Sequence, residues 1–180
     1  MKSAILLAAL CLPTLSAMAA EPAPVTPIAS LDVPRYMGTW YEIAKYPNRF
    51  QKQCAGFTVA NYSVQPDRSV KVVNRCKTAS GATEEAIGTA LQQGGPSSPM
   101  LKVRFAPAWL SILPFVWGDY WVIDLDDKYQ LAAVSDRKRE YLWVLSRAPT
   151  VERKAYADLL VRLGAQGFDV NKLVSTKQVD

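Results

Sequence analysis

A glycine two residues before a tryptophan stands near the start of the chain, in the stretch YMGTWYEIA at residues 36–44. Residues 40–44 are a strand candidate, because aromatic and β-branched residues follow a glycine there. Two further strand candidates come next, at residues 57–64 and 70–75, with the turn signal Pro66-Asp67-Arg68 between them. This part of the chain therefore predicts an antiparallel hairpin.

The rest of the chain repeats the same pattern of short strands and turns. In residues 101–105, Leu101, Val103 and Phe105 alternate with Lys102 and Arg104, which predicts a half-buried strand. In the strand candidate at residues 83–91, the small residues Ala86, Gly88 and Ala90 occupy every second position, which suits the tight inner wall of a barrel. Such regular short strands predict a closed barrel or a sandwich. The other candidates cover residues 83–91, 120–125, 129–134 and 141–147.

A single helix is predicted late in the chain, over about residues 150–163. Thr150 follows Pro149 and is a suitable N-cap, and Gly164 is a suitable stop. The apolar residues of this segment have helical spacing, so one face is expected to pack on the outside of the sheet. These residues are Tyr156, Leu159, Leu160 and Leu163.

The first 19 residues are predicted to be a secretory signal peptide. Lys2 precedes an apolar run at residues 5–15, and Ala17-Met18-Ala19 fits the cleavage rule for signal peptidase. The alternative is a short membrane anchor. Cys11 follows Leu10 inside the apolar run, which is unlike a lipoprotein cleavage site. We therefore expect an exported protein of the periplasm or the outer membrane, with residues 20–30 as an extended, proline-rich segment before the domain at 31–175 and a tail at 176–180.

Cys54 and Cys76 are the cysteines that remain after removal of the predicted signal peptide. An even number of cysteines in an exported protein predicts a disulfide. Both residues flank the open end of the predicted hairpin, which supports the pairing. The alternative is a pair of free thiols with a redox or metal-binding role.

The chain contains no histidine, and this excludes several classes of function. Ser-His-Asp and Cys-His catalysis need a histidine, as does the usual proximal ligand of haem. The sequence has no glycine-rich phosphate loop, and its net charge of +5 is spread along the chain without a basic block. We predict no enzymatic activity, cofactor, metal site or nucleic-acid partner.

Three motifs resemble the signatures of the lipocalin family, in the order and spacing found there. The first is the Gly-x-Trp stretch at residues 36–44, the second is Gly118-Asp119-Tyr120, and the third is residues 141–147, which end in Arg147. The likeness covers about residues 31–175 and is greatest to the bacterial lipocalins related to apolipoprotein D. It implies an eight-stranded antiparallel up-and-down barrel with an apolar cavity and one C-terminal helix packed outside.

The resemblance also implies structural roles at the base of the barrel. Trp40 is expected to plug the closed end, with Arg147 packed across its indole ring and Gly38 beside them. If so, strand parity places Tyr141 and Trp143 on the inner wall, above Arg147. We predict a ligand site formed by Trp143, Trp117, Tyr141, Phe105, Val103 and Tyr120.

The predicted function is to bind and carry or store a fatty acid or a lysophospholipid in the cell envelope. The alternatives are an interaction module whose barrel is filled by side chains, and a lipid-modifying enzyme on the same scaffold. A haem carrier using tyrosine, methionine or thiolate ligands is a further alternative. The unusually apolar segment 109–117 is interpreted as a contact with a membrane surface or with a second subunit in a homodimer. Alternatively, it folds over the mouth of the barrel and buries itself.

Overall fold

A computed structural model describes residues 23–179, so the predicted signal peptide at 1–19 lies outside the described residues. The short helix α1 (Val33–Tyr36) precedes eight strands, which are followed by helix α2 (Arg153–Ala165) and the two-residue strand β9 (Val174–Ser175). None of the described helices is long and apolar enough to cross a membrane. The eight strands are β1 (Gly38–Lys45), β2 (Gly56–Val64), β3 (Val70–Lys77), β4 (Thr83–Gln92), β5 (Met100–Arg104), β6 (Gly118–Leu125), β7 (Leu131–Ser135) and β8 (Leu142–Ser146).

The eight strands form a closed antiparallel barrel. Each pairs with the next along the chain, and β1 pairs with both β8 and β2, which closes the sheet. Pairing of β1 with β2 runs from Gly38 with Tyr62 to Tyr41 with Val59. The predicted barrel and its up-and-down order are therefore confirmed, and each strand lies within a few residues of its predicted position.

Alternation along the strands divides the apolar residues between two clusters. One set faces the inside of the barrel, and the other lies under α2 on its outer face. Strand β1 illustrates the division, because Trp40 belongs to the inner cluster and Ala44 to the outer one. The bulge between Glu42 and Ala44 provides this change of side.

Helix α2 packs on the outside of the barrel, as predicted, through the fully buried Leu159 and Leu163. Its bounds differ from the predicted 150–163, since it begins three residues later and ends two residues later. The cap is Glu152 rather than Thr150, because the Glu152 carboxylate accepts hydrogen bonds from the backbone N–H groups of Lys154 and Ala155. Gly164 is accommodated inside the helix.

The described part of the N-terminal segment packs against the barrel. Val25 is buried in the outer cluster, and the Ile28 N–H donates to the carbonyl of Val122 at 3.0 Å. The other end of the chain is also attached. The Thr176 N–H donates to the Ile43 carbonyl, and the Phe57 N–H donates to the Lys177 carbonyl, so this terminal segment lies between β1 and β2 beyond the end of their pairing.

The closed end of the barrel is built around Trp40, which is fully buried. The Arg147 guanidinium carbon lies 4.0 Å from the centroid of the Trp40 ring. Its Nη1 and Nη2 groups donate to the carbonyls of Thr39 and Arg35, each at 2.9 Å. Gly38 has a φ of +94°, and a Cβ there would lie 3.3 Å from Arg147 Nη1. The geometry therefore explains why a glycine precedes the tryptophan.

The predicted disulfide is confirmed, because Cys54 and Cys76 are bonded across the open end of the β2–β3 hairpin. A double Cys54→Ser, Cys76→Ser variant is expected to lose about 3 kcal/mol of unfolding free energy, since the bond restricts the unfolded chain. Urea denaturation with and without a reductant measures this loss. Reductant should bring the wild type to the midpoint of the variant and leave the variant unchanged. Equal midpoints for the variant and the oxidised wild type would contradict the prediction.

Candidate ligand cavity

A cavity of about 860 Å³ occupies the interior of the barrel, from the inner cluster above Trp40 to the open end. Its deep part is lined mainly by aliphatic side chains and by tyrosine rings. The residue types fit a hydrophobic guest, and a volume of this size is typical of sites for small molecules. The aliphatic lining includes Leu31, Val70, Val72, Leu101, Val134 and Leu145.

All six residues predicted from the sequence to bind ligand line this cavity. Tyr120 lies at the deep end, and Val103 lies on the β5 wall. Trp143 and Tyr141 stack with ring centroids 5.7 Å apart, and Phe50 packs against Tyr141 at 5.4 Å. The contact of the six predicted residues with a ligand stays a prediction. The last two of the six, Phe105 and Trp117, lie at the open end.

Phe105 lies at the rim of the cavity, with 46% of its surface exposed. Gly88 on the neighbouring strand makes room for it, since a Cβ at Gly88 would lie 2.8 Å from ring atoms of Phe105. The small residues of β4 therefore lie on the inner wall and leave space for larger side chains of the neighbouring strand, as their spacing predicted. Ala90 is buried, whereas Ala86 lines the exposed mouth.

Three tyrosines form a chain of hydroxyl groups at the deep end of the cavity. The hydroxyls of Tyr36 and Tyr120 lie 3.0 Å apart, and the Tyr120 hydroxyl donates to that of Tyr62 at 3.0 Å. The Tyr36 ring also packs on Trp40, with centroids 4.8 Å apart. Burial raises the pKa of Tyr62 to about 12 and raises the pKa values of Tyr36 and Tyr120 as well. The three hydroxyls are therefore neutral at physiological pH.

A second polar network lies higher in the barrel and fixes the orientation of Trp143. The Trp143 indole N–H donates to Gln51 Oε1 at 3.0 Å, and Gln51 Nε2 donates to the buried carboxylate of Glu42 at 2.5 Å. Glu42 also accepts from Lys45 Nζ at 2.9 Å and from Thr176 Oγ1 at 2.6 Å. This network links the loop after β1 and the C-terminal segment to the cavity wall.

The sequence did not predict the roles of Tyr36, Tyr62, Glu42 and Gln51. The alternation of Tyr62 with Ala60 in β2 gave a usable signal, because residues two apart share a face of a strand. No periodicity pointed to Tyr36, which lies on the short helix α1, or to Gln51, which lies in a loop.

The segment between β5 and β6 stands at the mouth and exposes its large apolar side chains. It contains two short 3-10 turns, Ala108–Leu110 and Pro114–Val116. Trp109, Ile112 and Phe115 are 76%, 85% and 79% exposed. The alternative that this segment buries itself is therefore wrong for these three residues. Trp117 is half-buried, and its indole N–H donates to the Ser111 carbonyl at 2.8 Å.

A closed eight-stranded barrel with one internal apolar cavity defines a class of small proteins that bind hydrophobic ligands. Residues 31–178 match the family model described as a lipocalin-like domain. The chain belongs to the lipocalin family.

Relatives in that family are similar over most of the chain. Temperature-induced lipocalin-1 of Arabidopsis thaliana is 40% identical over 156 residues, which cover 85% of this chain and 82% of that protein. The outer membrane lipoprotein Blc of Escherichia coli (strain K12) is 37% identical over 158 residues, covering 87% and 85%. Apolipoprotein D of Mus musculus is 27% identical, covering 84% and 79%. The resemblance inferred from the three motifs is confirmed.

Solved structures show the same fold at low sequence identity. Apocrustacyanin C1 superimposes with a TM-score of 0.65 at 14% identity, over 83% of this chain and 81% of that one. At this identity the likeness concerns the fold alone.

Proposed function

We propose that the protein binds and carries or stores a fatty acid or a lysophospholipid in the bacterial cell envelope. The observation that carries the proposal is the 860 Å³ cavity lined largely by aliphatic and aromatic side chains. Each methylene group moved from water into such a cavity contributes about 0.8 kcal/mol, so a single acyl chain is the natural guest. Immobilisation of the acyl chain on binding offsets part of this gain in free energy.

The same cavity argues against the alternative of a barrel filled by side chains. A filled barrel leaves no volume of this size, because protein interiors pack densely. The enzyme alternative has no comparable support among the described residues. The buried carboxylate of Glu42 is engaged by Lys45, Gln51 and Thr176, and the cavity tyrosines have raised pKa values that disfavour a nucleophilic phenolate.

For the location, we propose export to the periplasm, with or without association with the outer membrane. The predicted signal peptide supports export, and the name of the Escherichia coli relative, outer membrane lipoprotein, supports an envelope location. We expect no acylation at Cys11, because Leu10 precedes this cysteine.

Native mass spectrometry of protein purified from the periplasm, followed by lipid extraction, tests the ligand proposal. We expect a fatty acid or a lysophospholipid to copurify at close to one molecule per barrel. A ligand-free mass, together with no displacement of an added fluorescent fatty acid, would contradict the proposal. The same spectra report the oligomeric state and therefore test the homodimer.

We further propose that the apolar segment 109–117 contacts a membrane surface while ligand passes through the mouth. Trp109, Ile112 and Phe115 are exposed beside the cavity entrance, and soluble monomers rarely expose an apolar patch without a function. Burial of one such side chain in the interface of a membrane contributes about 1.5–3 kcal/mol.

A double Ile112→Asp, Phe115→Asp variant is expected to bind vesicles of phosphatidylethanolamine and phosphatidylglycerol at least about tenfold more weakly than the wild type. Vesicle flotation measures the bound fraction. Val161→Asp is the matched control, because Val161 is 73% exposed on α2 and does not line the cavity. Unchanged vesicle binding would contradict the membrane contact, and loss of a dimer in the same variant would assign the patch to a second copy of the chain.

A further inference from the structure

The hydroxyls of Tyr36, Tyr120 and Tyr62 lie at the deep end of the cavity, which we call the floor. They carry one donor proton more than their mutual hydrogen bonds require. Each hydroxyl carries one donor proton, and three hydroxyls in a row share two hydrogen bonds. Tyr120 donates its proton to Tyr62, so Tyr36 must donate to Tyr120. The proton of the Tyr62 hydroxyl then has no acceptor among the described residues.

This surplus donor lies at the deep end of the cavity, where most of the lining is aliphatic side chains and tyrosine rings. Tyr62 pairs with Gly38 at the start of β1, next to the Trp40 and Arg147 base, and it lines the cavity. A buried donor without a partner is unfavourable, and a bound acceptor removes this cost. The raised pKa of Tyr62 keeps its proton in place.

The same wall carries two further polar atoms that lack a partner. Thr58 Oγ1 on β2 and Asn74 Oδ1 on β3 are buried and make no hydrogen bond within the described residues. Both residues line the cavity, and Thr58 is 93% buried, with a relative exposure of 7%. Together with Tyr62 they form a polar stripe along the β2–β3 side of the interior.

The surroundings of this stripe favour a neutral ligand group over a charged one, because the nearby charged side chains already have partners. The Arg147 guanidinium donates to three backbone carbonyls, those of Thr39, Arg35 and Tyr129. Glu42 is engaged by its own network. The floor therefore offers a neutral donor without a free counter-charge, and burial of a charged group there is costly.

We propose that the cavity selects lipids with a neutral hydrogen-bond acceptor, a keto, hydroxyl or ester oxygen, on the part that reaches the floor, where the Tyr62 hydroxyl binds it. This inference rests on the proposed function and adds the ligand class. An unmodified acyl chain places only methylene and methyl groups against Tyr62, whereas an oxygenated chain provides the missing acceptor.

The test compares octadecanoic acid with a series of oxo-octadecanoic acids that carry the carbonyl at different positions. A keto group accepts hydrogen bonds and does not donate them, so it isolates the role of the donor. The wild-type protein is expected to bind one isomer about three- to tenfold more tightly than octadecanoic acid, as one hydrogen bond provides. Isothermal titration calorimetry or displacement of a fluorescent fatty acid measures the series.

A triple Tyr36→Phe, Tyr62→Phe, Tyr120→Phe variant removes every hydroxyl of the chain. Replacement of both partners of a hydrogen bond by apolar groups of the same shape is nearly neutral for folding, so the variant is expected to fold. It should bind octadecanoic acid more tightly than every oxo isomer. Tyr41→Phe is the matched control, because Tyr41 on β1 does not belong to the cavity lining, and it should keep the preference of the wild type.

A single Tyr62→Phe variant provides a second test that needs only one substitution. The surplus proton then belongs to Tyr120, 3.0 Å away, so the preferred carbonyl position should move along the chain. If Tyr62→Phe keeps the wild-type preference for the same oxo isomer at full strength, the inference is overturned. It is also overturned if the wild-type protein binds octadecanoic acid at least as tightly as every oxo isomer. If none of these acids binds, the proposed function fails together with the inference. Binding without preference overturns the inference alone.

Discussion

Trp40→Ala is expected to lower the free energy of unfolding by about 3–5 kcal/mol, as truncation of a buried tryptophan does. Trp40 is fully buried, its indole N–H donates to the Tyr36 carbonyl at 2.8 Å, and the Arg147 guanidinium lies 4.0 Å from its ring centroid. Alanine removes the packing of the indole ring, its hydrogen bond and its contact with Arg147, and it leaves a void at the closed end. Since small domains are stable by only about 5–15 kcal/mol, this loss is a large fraction of the total.

Urea denaturation followed by circular dichroism measures the effect. Trp109→Ala is the matched control, because Trp109 is 76% exposed and its truncation should change stability by no more than about 0.5 kcal/mol. If Trp40→Ala does not fold, Trp40→Phe serves instead, since it keeps an aromatic ring and loses the indole N–H. A loss below about 1 kcal/mol for Trp40→Ala would show that Trp40 does not hold the base of the barrel.

Val103→Asp is expected to weaken the binding of a fatty acid by about ten- to a hundredfold, since burial of an unpaired polar group costs about 1–3 kcal/mol. Val103 lines the cavity on β5 and lies next to Gly118, where a Cβ would be 3.9 Å from Val103 Cγ1. An acyl chain in the cavity would have to displace water from the new carboxylate. The ligand carboxylate would also be repelled.

Displacement of a fluorescent fatty acid measures this loss, with circular dichroism to show that the variant is folded. Ile87→Asp is the matched control, because Ile87 lies on the neighbouring strand β4 and is 55% exposed. It carries the same change of charge without touching the cavity. Equal affinities for the two variants would mean that the ligand does not occupy the barrel interior, and the proposed function would then be wrong.

The individual strands could be predicted from local pattern, because side-chain alternation in a strand depends on neighbouring residues, whereas the choice of a barrel over a sandwich came from the resemblance to the lipocalin family. Alternation at Leu101, Val103 and Phe105 indicated which side chains face inward, and all six predicted ligand contacts line the cavity. The predictions were less accurate where several capping residues compete. Helix α2 begins after Glu152 and not at Thr150, since the Glu152 carboxylate reaches two free backbone N–H groups.

The interior polar groups could not be predicted in the same way. Tyr36, Tyr62 and Tyr120 come from a short helix and two strands, and their hydroxyls meet because the barrel closes between β1 and β2. The same holds for Gln51, whose loop position gives no periodic signal before it contacts Trp143 and Glu42.

Residue type and spacing along the chain were enough to predict the individual strands, the disulfide and the three family motifs. The resemblance carried by those motifs then implied the barrel, its strand order and the Trp40 base. Tertiary structure alone decided the size of the cavity, the surplus hydroxyl proton at its floor and the exposure of Trp109, Ile112 and Phe115. The reason is that cavity volume, hydrogen-bond partners and exposure are properties of side chains from distant parts of the chain. They are defined only when the closed sheet brings those side chains together.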